Sequence, residues 1–84
     1  MIHVGIDLHT RKMTLTAVNN NSEIVAREKI ACNTTELTQF FSKLTPPVQA
    51  VVESTSNWYW LDDWFKSKGI PLKLAHAKML KAIS

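Results

Sequence analysis

Residues 2–8 alternate: Ile2, Val4, Ile6 and Leu8 share one parity, and His3, Gly5 and Asp7 share the other. A period of two predicts a strand with one buried face. Gly5 within it leaves room for a neighbouring backbone or a ligand. His9-Thr10-Arg11 is a short polar connection. Met13, Leu15 and Ala17 then alternate with Thr14, Thr16 and Val18, which predicts a second strand over 12–19. Asn19-Asn20-Asn21-Ser22 is turn chemistry, because Asn tolerates a positive φ. A third strand is expected over 23–31, with Ile24, Ala26, Glu28 and Ile30 on one parity. Three strands joined by short connections read as an antiparallel meander.

The period then changes. Asn33-Thr34-Thr35-Glu36 predicts a helix start, with a capping side chain and a Glu three residues on that reaches back to the cap amide. Leu37, Phe40, Phe41 and Leu44 follow at i, i+3, i+4 and i+7 and so share one helix face. Pro46-Pro47 stops that helix. Val48-Gln49-Ala50-Val51-Val52 is a β-branched run that fits a strand buried on both faces, and it ends at Glu53. Ser54-Thr55-Ser56-Asn57 offers caps for a second helix. Its apolar stripe is Trp58, Leu61 and Phe65, with Trp64 on the flank, and Asp62 and Lys66 form an i,i+4 pair. Gly69 stands where a glycine ends a helix. Residues 70–75 read as a fifth strand and 77–83 as the start of another helix. The order β-β-β-α-β-α-β-(α) predicts an α/β mixed sheet with helices covering its faces. It fits a ribonuclease-H-like domain.

Composition narrows the class. Of the 84 residues, 45% are hydrophobic and 20% charged, which excludes a disordered tail. No apolar run approaches the roughly 20 residues of a membrane span. The start lacks the basic and apolar regions of a secretory signal. Cys32 is the single cysteine, so an internal disulfide and a cysteine-rich zinc site are excluded, and a reducing cytoplasm is expected. Cys32 reads as a small buried hydrophobe. The net charge of +3 is compatible with a nucleic-acid partner.

Two carboxylates stand out by position. Asp7 lies near the end of the first strand, and Glu53 at the end of the first crossover strand. Sites in open α/β sheets collect beyond the carboxyl ends of strands. If these two strands are parallel neighbours, both acids enter one crevice. Their repulsion would be relieved by a divalent cation, and hard oxygen ligands suit Mg²⁺. The plain alternative is a pair of acids that solvate loop ends.

Val4-Gly5-Ile6-Asp7-Leu8-His9, the block from Val51-Val52-Glu53-Ser54-Thr55-Ser56 to Leu61, Gly69-Ile70-Pro71, Ala75-His76-Ala77 and Lys81-Ala82-Ile83 carry a resemblance. Together they resemble the N-terminal, RuvC-like domain of DEDD-type insertion-sequence transposases, the bacterial family related to the Piv invertase. The resemblance spans nearly the whole chain, and the Glu-Ser-Thr block with its aromatic continuation is its most specific part. It implies a four-acid set binding Mg²⁺ (or Mn²⁺) that cuts and rejoins DNA. Asp7 matches the first acid and Glu53 the second. The last two belong to a motif on a following helix and match no residue here, nor does the serine of the family's C-terminal domain. Residues 1–84 are therefore expected to be a C-terminally truncated part of a catalytic domain, inactive alone. The resemblance further implies a DNA partner, an element-encoded guide RNA, a homo-oligomer and a bacterial cytoplasm. Ser56 stands where the family often has Gly, and Ala77 where Pro is common; neither touches the acids.

The remaining polar residues have plainer readings beside functional ones. Arg11, Lys12, Thr55, Lys78 and Lys81 are candidate nucleic-acid contacts, or else a solvated basic face. His9 contacts a metal or phosphate, or is solvated, while His76 caps or packs against the last helix. Trp58 and Trp64 are expected to pack on the sheet and Trp60 to be exposed. Uncovered apolar sheet surface would favour dimerisation. Two other functions stay open. Gly5-Ile6-Asp7-Leu8 with its hairpin also opens actin-like ATPases and sugar kinases, with Thr10 and Arg11 near phosphate. No second Gly-rich loop follows here. The third reading is a non-catalytic module that binds nucleic acid or another subunit.

Overall fold

The structure is a computed structural model that describes residues 1–54 and 58–75. Its elements are β1 (Ile2–Leu8), β2 (Lys12–Val18), β3 (Ile24–Ala31), α1 (Thr34–Ser42), β4 (Val48–Ser54), α2 (Tyr59–Lys68) and β5 (Leu72–Ala75). The predicted helix over 77–83 lies outside the described residues.

The five strands form one mixed sheet in the order β3-β2-β1-β4-β5. The first three pair antiparallel, β4 runs parallel to β1, and β5 runs parallel to β4. The meander and the crossovers thus agree with the alternation of the sequence. A register shift between Ala17 and Val18 marks a bulge opposite the start of β3. The turn before it is built differently from the expectation. Asn19 keeps an ordinary φ and accepts from the amides of Asn21 and Glu23 through Oδ1, at 2.9 and 3.0 Å, while Ser22 takes the positive φ of 62°. The Asn side chain serves as an acceptor here, so the left-handed position passes to the last turn residue.

Both described helices pack on one face of the sheet. Val4, Ile6, Leu8, Met13, Leu15 and Ala17 supply the sheet side of the core, joined by Ala50 and Val52. Leu37, Phe40 and Phe41 of α1 meet Leu61, Trp64 and Phe65 of α2 above them. The Phe41 ring lies 5.4 Å from Trp64 and 5.3 Å from Phe65, which joins the two helices directly. Trp64, on the flank of the predicted stripe, is packed into the core, as expected of it. Trp60 is partly buried against the core, and Tyr59 is the exposed aromatic at 68%, stacked on Trp58. Trp58 is the N-cap of α2 and makes no side-chain cap bond, so the helix starts after the candidate caps at 54–57.

The opposite face carries no described helix, and this corrects the expectation for β4. Ala50 and Val52 are buried but Val51, between them, is 41% exposed. The strand is buried on one face because both helices sit on the same side. Among the described residues, what remains open is the face of the other parity, where Gly5, Asp7, Thr14 and Thr16 stand.

Candidate functional site

The register of the sheet decides which side chains meet. In the parallel pair of β1 and β4, Asp7 and Glu53 are direct partners, and Gly5 faces Val51. In the antiparallel pair of β1 and β2, Asp7 faces Thr14 and Gly5 faces Thr16. The next strand outward places Lys29 beside Thr14 and Arg27 beside Thr16. On the other side, Ala75 is the partner of Glu53, and Lys73 that of Val51. Two rows therefore cross the open face. One reads Lys29, Thr14, Asp7, Glu53, Ala75. The other reads Arg27, Thr16, Gly5, Val51, Lys73.

The two acids share a face and stand at the carboxyl ends of neighbouring parallel strands, where neighbouring backbones lie about 4.8 Å apart. They are accordingly in one crevice. Asp7 is 60% exposed, and its Oδ2 lies 3.2 Å from Nε2 of His9, itself 65% exposed. His9 is held by the hairpin, where its amide donates to the Lys12 carbonyl at 2.9 Å. A concavity of about 400 Å³ opens here, lined by Asp7, Glu53, Thr14, Thr16, Arg27 and Gly5 among others. It holds two carboxylates, two hydroxyls and one guanidinium.

Arg11 and Lys12 are exposed and stand outside this concavity. The Arg11 carbonyl accepts from the Cys32 amide at 3.0 Å, which ties the hairpin to the start of α1. Thr55, Lys78 and Lys81 lie outside the described residues, as does His76. Thr14, Thr16 and Arg27 escaped the sequence reading. The signal that marks them is parity: each stands on the strand positions opposite to the apolar ones, as Asp7 does.

A larger apolar recess of about 510 Å³ opens at the other end of the parallel strands, between Phe41, Leu44, Pro46, Trp64 and Ile70. It contains no carboxylate, imidazole or thiol. The Cys32 thiol is elsewhere, donating to the His9 carbonyl at 3.4 Å, and partial burial pushes its pKa up, away from the reactive thiolate.

By sequence, no protein-family model and no curated protein matches the chain. By structure, it is similar to Thermus thermophilus RuvC, with a TM-score of 0.68 at 13% identity over 90% of this chain and 62% of that one. It is also similar to the Lmo2764 protein of Listeria monocytogenes, assigned as an N-acetylmannosamine kinase, with a TM-score of 0.62 at 13% identity over 90% of this chain and 35% of that one. An exopolyphosphatase of Cytophaga hutchinsonii gives a TM-score of 0.60 at 16% identity, over 93% of this chain and 35% of that one. At such identities the likeness is one of fold, and the chain spans only part of each protein. The RuvC likeness supports the ribonuclease-H-like reading of the sheet, and the other two keep the actin-like alternative beside it.

Proposed function

We propose that residues 1–84 supply the first two acids of a metal-dependent DNA transposase or recombinase of the DEDD type, with Asp7 and Glu53 as the ligands of Mg²⁺ or Mn²⁺. The observation that carries this reading is the register partnership of Asp7 and Glu53 on the open face. The donor set fits a hard cation: oxygen ligands only, without a thiolate. Mg²⁺ is ordinarily held by one or two carboxylates with substrate phosphate and water completing the shell. Among the described residues, no group of three or more His, Cys, Asp or Glu is placed to hold a metal, and weak binding is expected of a chain that supplies two carboxylates. When bound, such a cation supplies charge stabilisation for phosphodiester cleavage. Asp7 and Glu53 hold the charge that attracts it, and His9 restrains the Asp7 carboxylate. The two further acids of the resembled set match no residue here, so the chain alone is expected to be inactive. The DNA partner, a guide RNA and a homo-oligomer belong to the same proposal.

Titration calorimetry with Mn²⁺ tests the ligands. Weak binding is expected for the wild-type chain and none for Asp7→Asn/Glu53→Gln. Equal affinity in both would remove Asp7 and Glu53 as ligands.

A second reading is favoured by the likeness to the kinase and the exopolyphosphatase. It makes the β1–β2 hairpin a phosphate loop, with Thr10 and Arg11 beside the phosphate. ATP binding that survives Asp7→Asn/Glu53→Gln and is lost in Arg11→Ala would establish it in place of the first.

A further inference from the structure

The open face carries charge in a pattern that the acids alone do not explain. Arg27 and Lys29 on β3 and Lys73 on β5 are exposed there. Among the described residues, none of the three forms an ion pair. On the helical side of the molecule two lysines are engaged in ion pairs. Lys43 Nζ lies 3.3 Å from Glu28 on the helical side, and Lys66 Nζ 2.9 Å from Asp62 on α2. Arg11 and Lys12 at the β1–β2 hairpin form no ion pair among the described residues either, so unpaired cations lie along the face that bears Asp7 and Glu53 and at the hairpin beside it.

Their positions are set by the register. Arg27 and Lys29 lie two strands from β1 on one side, and Lys73 two strands away on the other. At about 4.8 Å per strand, each is roughly 10 Å from the Gly5–Asp7 line, and Arg27 and Lys73 are roughly 19 Å apart. Thr14 and Thr16 fill the interval on the Arg27 side, with hydroxyls that donate to phosphate oxygens as readily as to water.

Gly5 is the second observation. It stands in the middle of the row and lines the concavity. A Cβ built there meets nothing within 4 Å, and its φ is not in the left-handed region. The described fold therefore does not require glycine at this position. Strand preference disfavours it. A floor without a side chain, between cations on both sides, is what a close-lying backbone requires.

We propose that the open face is a track for a nucleic-acid backbone laid across the strands, with Gly5 as its floor, Thr14 and Thr16 as hydroxyl donors, and Arg27 and Lys29 as phosphate partners that position it beside the acids. Lys73 holds the strand on the far side. The proposal rests on the nucleic-acid part of the reading above and names its positioning residues; it does not depend on the metal.

The test is fluorescence anisotropy of a labelled single-stranded DNA oligonucleotide with the 84-residue chain in EDTA, across a salt series. Arg27→Gln/Lys29→Gln is expected to weaken binding roughly tenfold at low salt and to make the salt slope shallower by about 1.4, the value for two lost phosphate contacts on a single strand. Lys66→Gln/Lys68→Gln removes the same charge from the helical side and is expected to leave affinity nearly unchanged. Gly5→Val is expected to fold with an equal or higher Tm and to lose binding. Equal losses for the two lysine-containing pairs would overturn the track, since net charge alone would then account for binding. So would a lowered Tm for Gly5→Val, which would mean that the chain itself occupies the floor. Because the assay contains no divalent ion, a failure of the Mn²⁺ titration leaves this result readable by itself.

Discussion

Asn33 and Glu36 join two elements through three hydrogen bonds. Asn33 Oδ1 accepts from the Glu36 amide at 2.8 Å, and Glu36 Oε2 accepts from the Ala31 amide at 2.9 Å and from Asn33 Nδ2 at 3.3 Å. The end of β3 and the start of α1 are thereby fixed to each other. Asn33→Ala is expected to lower stability by about 1 kcal/mol, as loss of an N-cap does, measured by urea unfolding. The spacing of Asn33 and Glu36 was legible as a capping box, but the target of Glu36 was not. The cap's own amide donates to the Ala31 carbonyl at 2.8 Å, so the carboxylate turns to the amide of Ala31 instead. A motif specifies side chains and spacing; which amide is left without a partner depends on the path of the preceding strand. At the acids the limit is similar. Asp7 and Glu53 were identifiable at strand ends, whereas the approach of His9 to Asp7 depends on how the hairpin closes.

At the scale of elements, α2 ends as its sequence predicts and begins elsewhere. Gly69 has φ 69° and ψ 24°, its amide donates to the Lys66 carbonyl at 3.2 Å, and the Ile70 amide donates to the Phe65 carbonyl at 3.1 Å. These two bonds form a Schellman end, which needs a left-handed residue. Gly69→Ala keeps the bonds but places a Cβ in that conformation, and is expected to cost about 1 kcal/mol, read from the shift of the urea midpoint at constant m-value. The exposed aromatic could not be assigned from one helix alone. Periodicity marks Leu61 and Phe65, but Trp64 is drawn inward by Phe41 from α1. The β-branched run of β4 misled in the same way. Val51 and Val52 are chemically alike, and only the placement of both helices on one side makes the first exposed and the second buried. Alternation in β1 and β2 was a better guide, because the polar residues themselves name the open face.

At the scale of the molecule, the sheet separates packing from charge. The helical face holds the apolar core, and the open face holds Asp7 and Glu53 among Arg27, Lys29 and Lys73. The exposed large hydrophobic residues are dispersed: Ile24 and Val25 at the start of β3, Val51 on the open face, and Met1 and Tyr59 elsewhere. The homo-oligomer was expected from the resemblance and from an apolar uncovered sheet; on the second ground, the described open face is mainly hydroxyl and charge. A symmetric dimer through that face would bring its cations close to those of a second copy, and added salt would screen this repulsion over the roughly 10 Å Debye length of a 0.1 M solution. Self-association through this face should therefore strengthen with salt, opposite to the dependence of oligonucleotide binding on the same residues. Multi-angle light scattering at low and high NaCl separates the cases. A weight-average mass that rises with salt, and rises less steeply in Arg27→Gln/Lys29→Gln because the repulsion is already reduced, is the expected result for a dimer through the open face. A dimer of constant mass across the salt series would exclude the open face as its contact. It would favour the apolar recess between Phe41 and Trp64, whose burial is insensitive to screening.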